Sequence, residues 1–222
     1  VIARSAELFV PLIPLIILIF FLLLIPRYNM NNLSPMLEYG IKPVLKAGYT
    51  ILTFPFGEVI VFLMIFPALN RPDDLVKVSY WALTVAGLIL FNVIIRDLLV
   101  LGSGMLDRTV FPGVISAKLI PKLNLDPIIM MNFIISGGAE AIVCIYGAVV
   151  GIIQIFKLKN YKLITLLVVV ITIVASILMF DNLIEKRMWS KMIYPFYAGV
   201  IQIIIPIIVL LASVIKNKLI NK

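Results

Sequence analysis

Several stretches of this chain run for 18 or more residues without a single Asp, Glu, Lys or Arg, and that fixes the solvent the chain folds in. Eighteen or more apolar residues wound as helix reach across about 30 Å of hydrocarbon. Val78 to Ile95 and Leu163 to Phe180 are such runs, and Leu8 to Pro26 is another, bracketed by Arg4, Glu7 and Arg27. With 63% hydrophobic and 14% charged residues over 222 positions, the chain departs from soluble composition on both counts. The expected fold class is therefore all-α, a polytopic membrane protein.

Six crossings are expected. The first is Leu8 to Pro26, and a loop rich in Asn, Ser and Pro follows from Tyr28 to Gly40. The second is Val44 to Leu69, interrupted by Pro55, Gly57 and Glu58. Val78 to Ile95 is the third, ending at the adjacent Arg96 and Asp97. Gly102 to Pro127 is expected to form an external hairpin with a short interfacial helix over Val110 to Ile120. Ile128 to Phe156, Leu163 to Phe180 and Met192 to Ile215 complete the count. Assigning alternate sides puts nine Lys and Arg on one side and ten on the other, so this bias does not orient the chain. The Lys157, Lys159, Lys162 loop and the Lys216, Lys218, Lys222 tail carry no compensating acids, and on that ground alone they are expected in the cytoplasm.

Residue types exclude much chemistry. There is no histidine and one cysteine, Cys144, which removes disulfide scaffolds, zinc clusters and the triads and dyads that need an imidazole. No enzyme, catalytic residue, metal site or cofactor is expected. The net charge of +8 comes from cations scattered over many hydrophilic segments, a pattern for an anionic lipid surface and not for nucleic acid. The chain begins at Val1 with no basic region leading into a cleavable signal. Residues 1–222 are therefore expected to form a single transmembrane domain, incomplete on its N-terminal side.

The candidate site lies where polar chemistry enters the second span. In Thr53-Phe54-Pro55-Phe56-Gly57-Glu58, Pro55 withdraws an N–H and Gly57 opens unusual dihedrals. The halves on either side are too short to cross alone, so two half-helices meeting at a break are expected, a geometry that membrane proteins use to line a cavity. An acid near the bilayer centre costs about 2.5–3.5 kcal/mol on insertion scales. Capping a helix start returns only about 0.3–1 kcal/mol, so Glu58 is expected to face a cavity or partner. A plain proline kink without a ligand is the competing reading.

Glu140 raises the same question. It follows Ser136-Gly137-Gly138-Ala139, a run small enough for close helix approach, and either faces a polar cavity or sits protonated between helices. Arg96 and Asp97 are expected to be headgroup-level anchors with separate partners, since neighbours in sequence do not share a helix face. Trp189, Tyr194, Phe196 and Tyr197 are expected to form an interfacial aromatic belt.

Ala3-Arg4 and Glu7, Leu33-Ser34-Pro35 with Gly40, Phe54-Pro55-Phe56-Gly57-Glu58 and Ile65-Phe66-Pro67 together resemble the spore germination permease family, the GerAB-like B subunits of nutrient germinant receptors in endospore-forming bacteria. That family is similar to the amino acid, polyamine and organocation transporters, which have ten helices in two inverted five-helix repeats, a leucine-transporter-like fold. The resemblance implies that this chain carries family helices five to ten and lacks the first four, with Val44 to Leu69 as the broken sixth helix. It implies a substrate-binding set of Thr53, Phe54, Pro55, Phe56, Gly57 and Glu58, with carbonyls near Thr53 and Phe54 turned to a substrate ammonium. Ser136 and Glu140 would line the far wall. It further implies an amino acid-type nutrient as ligand, A-type and lipoprotein C-type receptor subunits as partners, and the inner membrane of the endospore as location. Sensing, secondary amino acid transport and a water- or ion-conducting role all remain open on these residues.

Overall fold

The computed structural model describes Glu7, residues 11–121 and residues 123–220. Among them every regular element is helical, as expected for a backbone whose polar groups must be satisfied within the segment. Five helical stretches are long and apolar enough to cross a membrane: Ile41–Met64, Pro72–Arg108, Asp126–Phe156, Tyr161–Leu178 and Tyr194–Lys216. Of the expected first span, residues 8–10 lie outside the described residues. From Leu12 to Arg27 it is an apolar helix, shorter than the other five. The chain is an integral membrane protein. It divides into two compact units, Val1–Glu38 with Asp73–Ala141, and Tyr39–Pro72 with Ile142–Lys222.

The first unit begins with α1, Leu12–Leu24, which tightens into a 3-10 turn over Ile25–Arg27 where Pro26 cannot continue the α ladder. The Tyr28 hydroxyl donates back to the Phe21 carbonyl at 2.8 Å. Burial raises the Tyr28 pKa above its usual 10, with the Arg96 guanidinium acting against that shift, so the phenol stays a neutral donor at ordinary pH. Its long helix is α2, Leu75–Arg108. The expected third helix is corrected here: it runs through Arg96 and Asp97 and bends at Gly102, whose φ of 71° and ψ of 165° are non-helical. Just before the bend, the Leu99 carbonyl accepts from Asn29 N at 3.1 Å and Asn32 Nδ2 at 2.8 Å, so the Asn-rich loop anchors this turn. A short helix, α3, Pro112–Lys118, follows within the expected Val110 to Ile120. Phe20 and Leu24 of α1 pack on Ala117 and Ile120 as the buried core of this unit.

The fourth expected span is α4, Asp126–Phe156, whose first half belongs to the first unit and whose second half belongs to the other. Its close approach is not where the sequence suggests. A Cβ on Gly137 or Gly138 would meet nothing within 4 Å among the described residues, whereas one on Gly147 would lie 2.9 Å from Val61 Cγ1. The operative small residue is the one facing the second span.

In the second unit, α5, Ile41–Thr53, precedes a 3-10 helix over Phe56–Met64. Next come α6, Tyr161–Leu178, and α7, Leu183–Met192. Asn182 Oδ1 accepts from Glu185 N at 2.8 Å while Glu185 Oε2 accepts from Asp181 N at 3.0 Å, a reciprocal start that fixes where α7 begins. The last span is composite: α8, Tyr194–Gly199, a π-helical stretch over Val200–Ile204, and α9, Ile205–Ile220.

Candidate functional site

The second span is broken where the sequence places the interruption. Helix α5 stops at Thr53, and Phe54 is extended, with φ −142° and ψ 121°. Pro55 offers no N–H to the carbonyl of Ile51, so the ladder cannot pass this point. Beyond it the chain resumes not as α-helix but as nine residues of 3-10 helix. Runs of that kind longer than three or four residues are uncommon and mark hinges or strain. The two limbs have different windings, which separates this geometry from a plain proline kink.

The six residues of the motif take different positions. Thr53 is fully buried, and its hydroxyl donates to the Thr50 carbonyl at 2.9 Å and the Tyr49 carbonyl at 3.3 Å, which ties up the last turn of α5. Phe54 is half exposed, and its ring meets Tyr194 edge-on with centroids 6.1 Å apart. Pro55 is exposed, while Phe56, Gly57 and Glu58 are half-buried. Glu58 opens the 3-10 limb, where a negative charge suits the positive end of the helix dipole.

Residues of the last span complete this neighbourhood. The Tyr194 hydroxyl donates to Glu58 Oε1 at 3.2 Å, and Gln202 Nε2 donates to the Tyr194 oxygen at 3.2 Å. The Gln202 amide oxygen is buried without a hydrogen-bond partner among the described residues, and it occupies the space a Cβ on Gly57 would need. Gly57 is thus required for close approach. The opposite fit occurs at Gly199, where a Cβ would collide with the Tyr49 hydroxyl, which donates to the Pro195 carbonyl at 2.9 Å. Gln202 sits inside the π-helical stretch, a deformation frequently found at functional sites.

Tyr194 is therefore more than a belt residue. Three of the four expected aromatics cluster, with Tyr194 within 5.3 Å of Tyr197 and 5.7 Å of Trp189 between ring centroids, while Phe196 is exposed, and the polar end of Tyr194 faces the break. Sequence reasoning missed Tyr49 and Gln202 in this role. Gln202, an amide amid Val200-Ile201 and Ile203-Ile204-Ile205, was the available signal.

Ser136 and Glu140 lie on α4 in the first unit. Ser136 donates to Asn132 Oδ1 at 3.3 Å and lines a cavity with Arg96 and Asp97; Glu140 is exposed. The reading of Arg96 and Asp97 as separate anchors is overturned. Arg96 is 2% exposed and Asp97 4%, and they pair with each other, Nη2 to Oδ1 at 2.9 Å and Nε to Oδ1 at 3.0 Å. Ser116 of α3 donates to the same oxygen at 2.9 Å. A three-carbon stem lets the guanidinium fold sideways onto the neighbouring residue, and continuation of the helix beyond Ile95 buries both. Gly113 permits this packing, since a Cβ there would lie 3.2 Å from Arg96 Nη2.

A family model described as spore germination protein, the spore permease family, matches residues 1–184. Spore germination protein KB of Bacillus subtilis (strain 168) is 30% identical over 98% of this chain and 61% of its own length. Spore germination protein YndE of the same organism is 29% identical over 71% of this chain and 45% of its own length. The chain thus spans about three fifths or less of the length of these relatives. No solved structure matches it.

Proposed function

Because the chain belongs to the spore germination permease family, we propose that it works as the transporter-like B-type subunit of a nutrient germinant receptor in the inner membrane of the spore. The ligand is a small nutrient of the amino acid type, and the ligand site is the break at Phe54–Pro55. A-type and C-type subunits are its partners in the complex. The observation that carries this reading is the extended Phe54 between an α limb and a 3-10 limb, with Glu58 held by Tyr194.

In this reading Ile41–Met64 is the sixth of ten family helices, and carbonyls at Thr53 and Phe54 face the ligand ammonium. Glu58 sets the polarity of the site, and Pro55, Phe56 and Gly57 shape the turn. A nutrient shifts such a bundle only by the difference in its affinity for the two states. Two limbs of unlike winding supply an element with two arrangements, and Gln202 in a π-helical stretch supplies a partner able to re-pair.

Spores carrying Glu58→Gln test the proposal. The nutrient concentration for half-maximal germination, followed as loss of optical density, is expected to rise at least tenfold, with the protein still present in the membrane fraction. An unchanged response curve contradicts the assignment. Uptake of labelled nutrient into liposomes containing the receptor subunit separates transport from sensing, and the sensor reading expects binding without accumulation.

A further inference from the structure

Between the spans Tyr161–Leu178 and Tyr194–Lys216 lies α7, Leu183–Met192, tied at both ends to crossing helices and so held at the edge of the bilayer. Its side chains divide by row. Trp189 turns to aromatics of its own unit, with ring centroids 5.3 Å from Phe180 and 5.7 Å from Tyr194 and Tyr197. Ile184, Met188 and Met192, four residues apart and hence one above the other on a helix, are 73%, 57% and 59% exposed. The same step beyond Met192 reaches Phe196 and Val200, both exposed in the last span. The apolar row of α7 therefore runs on into a face that meets acyl chains.

Charge is laid beside that row. Arg187 and Lys191 stand three residues on from Ile184 and Met188 and form the adjacent row, while Lys186 is exposed on the far side. The two acids, Asp181 and Glu185, are confined to the helix start, the end where the dipole favours negative charge. Glu185 Oε2 is engaged there by Asp181 N.

We propose that α7 is a binding site for anionic phospholipid, lying in the interface plane with Ile184, Met188 and Met192 among the acyl chains and acidic headgroups on Arg187 and Lys191. An amphipathic helix with basic residues flanking its apolar face rests at this depth, and the aliphatic stems of Arg and Lys carry their charges up to the level of the phosphates. Water over the apolar row would leave three large side chains wet. A zwitterionic headgroup brings its own cation beside its phosphate, so the basic row is answered by a lipid of net negative charge. Every residue of this site belongs to the second unit, and none belongs to the broken helix.

Trp189 serves as the reporter. With Trp81→Phe it is the sole tryptophan, and the 222-residue chain is placed in phosphatidylcholine nanodiscs with a minor share of brominated phosphatidylglycerol or, separately, brominated phosphatidylcholine. Quenching of Trp189 is expected to show a preference of about fivefold for phosphatidylglycerol. The preference is expected to fall to parity in Arg187→Gln/Lys191→Gln and to persist in Lys157→Gln/Lys159→Gln, which removes two cations from another loop of the same unit. Equal quenching by the two lipids overturns the proposal, and so does a preference that survives neutralisation of α7 or is lost equally in both variants. Depth is read from single cysteines on a Cys144→Ser background with a water-soluble maleimide. Ser190→Cys, on the opposite side of the helix, is expected to label at least tenfold faster than Met188→Cys. Equal labelling would leave the apolar row open to water or to a protein partner and overturns the proposal too. The comparison of the two lipids on an unaltered α7 decides even where a substituted α7 does not fold.

Discussion

Tyr194 donates its phenolic hydrogen to Glu58 Oε1 at 3.2 Å, although 136 positions separate them in the chain. Gln202 extends the contact by donating to the same phenol, so the last span holds the first turn of the 3-10 limb through one hydroxyl. Tyr194→Phe keeps the ring in its aromatic cluster and deletes both hydrogen bonds of the hydroxyl, the one it donates to Glu58 and the one it accepts from Gln202. A loss of about 1 kcal/mol in unfolding free energy is expected, read from denaturation in detergent micelles. In a double-mutant cycle with Glu58→Gln the two losses are expected to be non-additive, since both act on one bond. Strict additivity would show that the contact carries no energy.

Close approach at Gly57 makes a second expectation. Gly57→Ala forces a methyl group into the position of the Gln202 amide oxygen, an overpacking worth about 1–3 kcal/mol. Adding Gln202→Ala removes the obstacle and is expected to restore most of the thermal stability. If the double variant melts no higher than Gly57→Ala alone, the two side chains do not meet.

How much of this arrangement the sequence discloses depends on distance along the chain. The break at Phe54–Pro55 was legible because Pro55, Gly57 and Glu58 each violate what an apolar span requires, and they do so within four residues. Tyr194 was not, because nothing local marks a hydroxyl as the partner of an acid in another span; Gln202 stands out as an amide in an apolar run, but nothing local names Tyr194 as its partner. Arg96 and Asp97 were misread for a different reason. Helical spacing rules describe where Cβ atoms point, and a long flexible side chain escapes them. The bend at Gly102 was hidden because one glycine in an apolar helix is a weak breaker until Asn32 is brought against it, 3.3 Å from where a Cβ would stand.

The Arg96–Asp97 pair gives a sharper contrast. Removing one partner, as in Arg96→Met or Asp97→Leu, leaves a buried uncompensated charge and is expected to cost about 3–5 kcal/mol. The double variant carries no charge to desolvate and is expected to be more stable than either single variant. Thermal unfolding of all three in the same lipid nanodiscs measures this. Equal losses for the double and the single variants would mean that both groups are hydrated.

At Gly102 the φ of 71° and ψ of 165° belong to a region that only glycine occupies comfortably. Gly102→Ala is expected to lower unfolding free energy by about 1–3 kcal/mol, and Asn32→Ala by about 1 kcal/mol through loss of its bond to the Leu99 carbonyl. Chemical denaturation followed by helix content reads both. A neutral Gly102→Ala would show an unbent helix.

The central claim, that the second span is open at Phe54–Pro55 and closes on a nutrient, is tested most directly by hydrogen–deuterium exchange in nanodiscs. Amides of Phe56 and Gly57 are expected to exchange much faster than those in the middle of α6, such as Val168 to Val174, and to slow when the nutrient that germinates the spore is added. Protection at those two amides equal to that of α6, unchanged by nutrient, would contradict it.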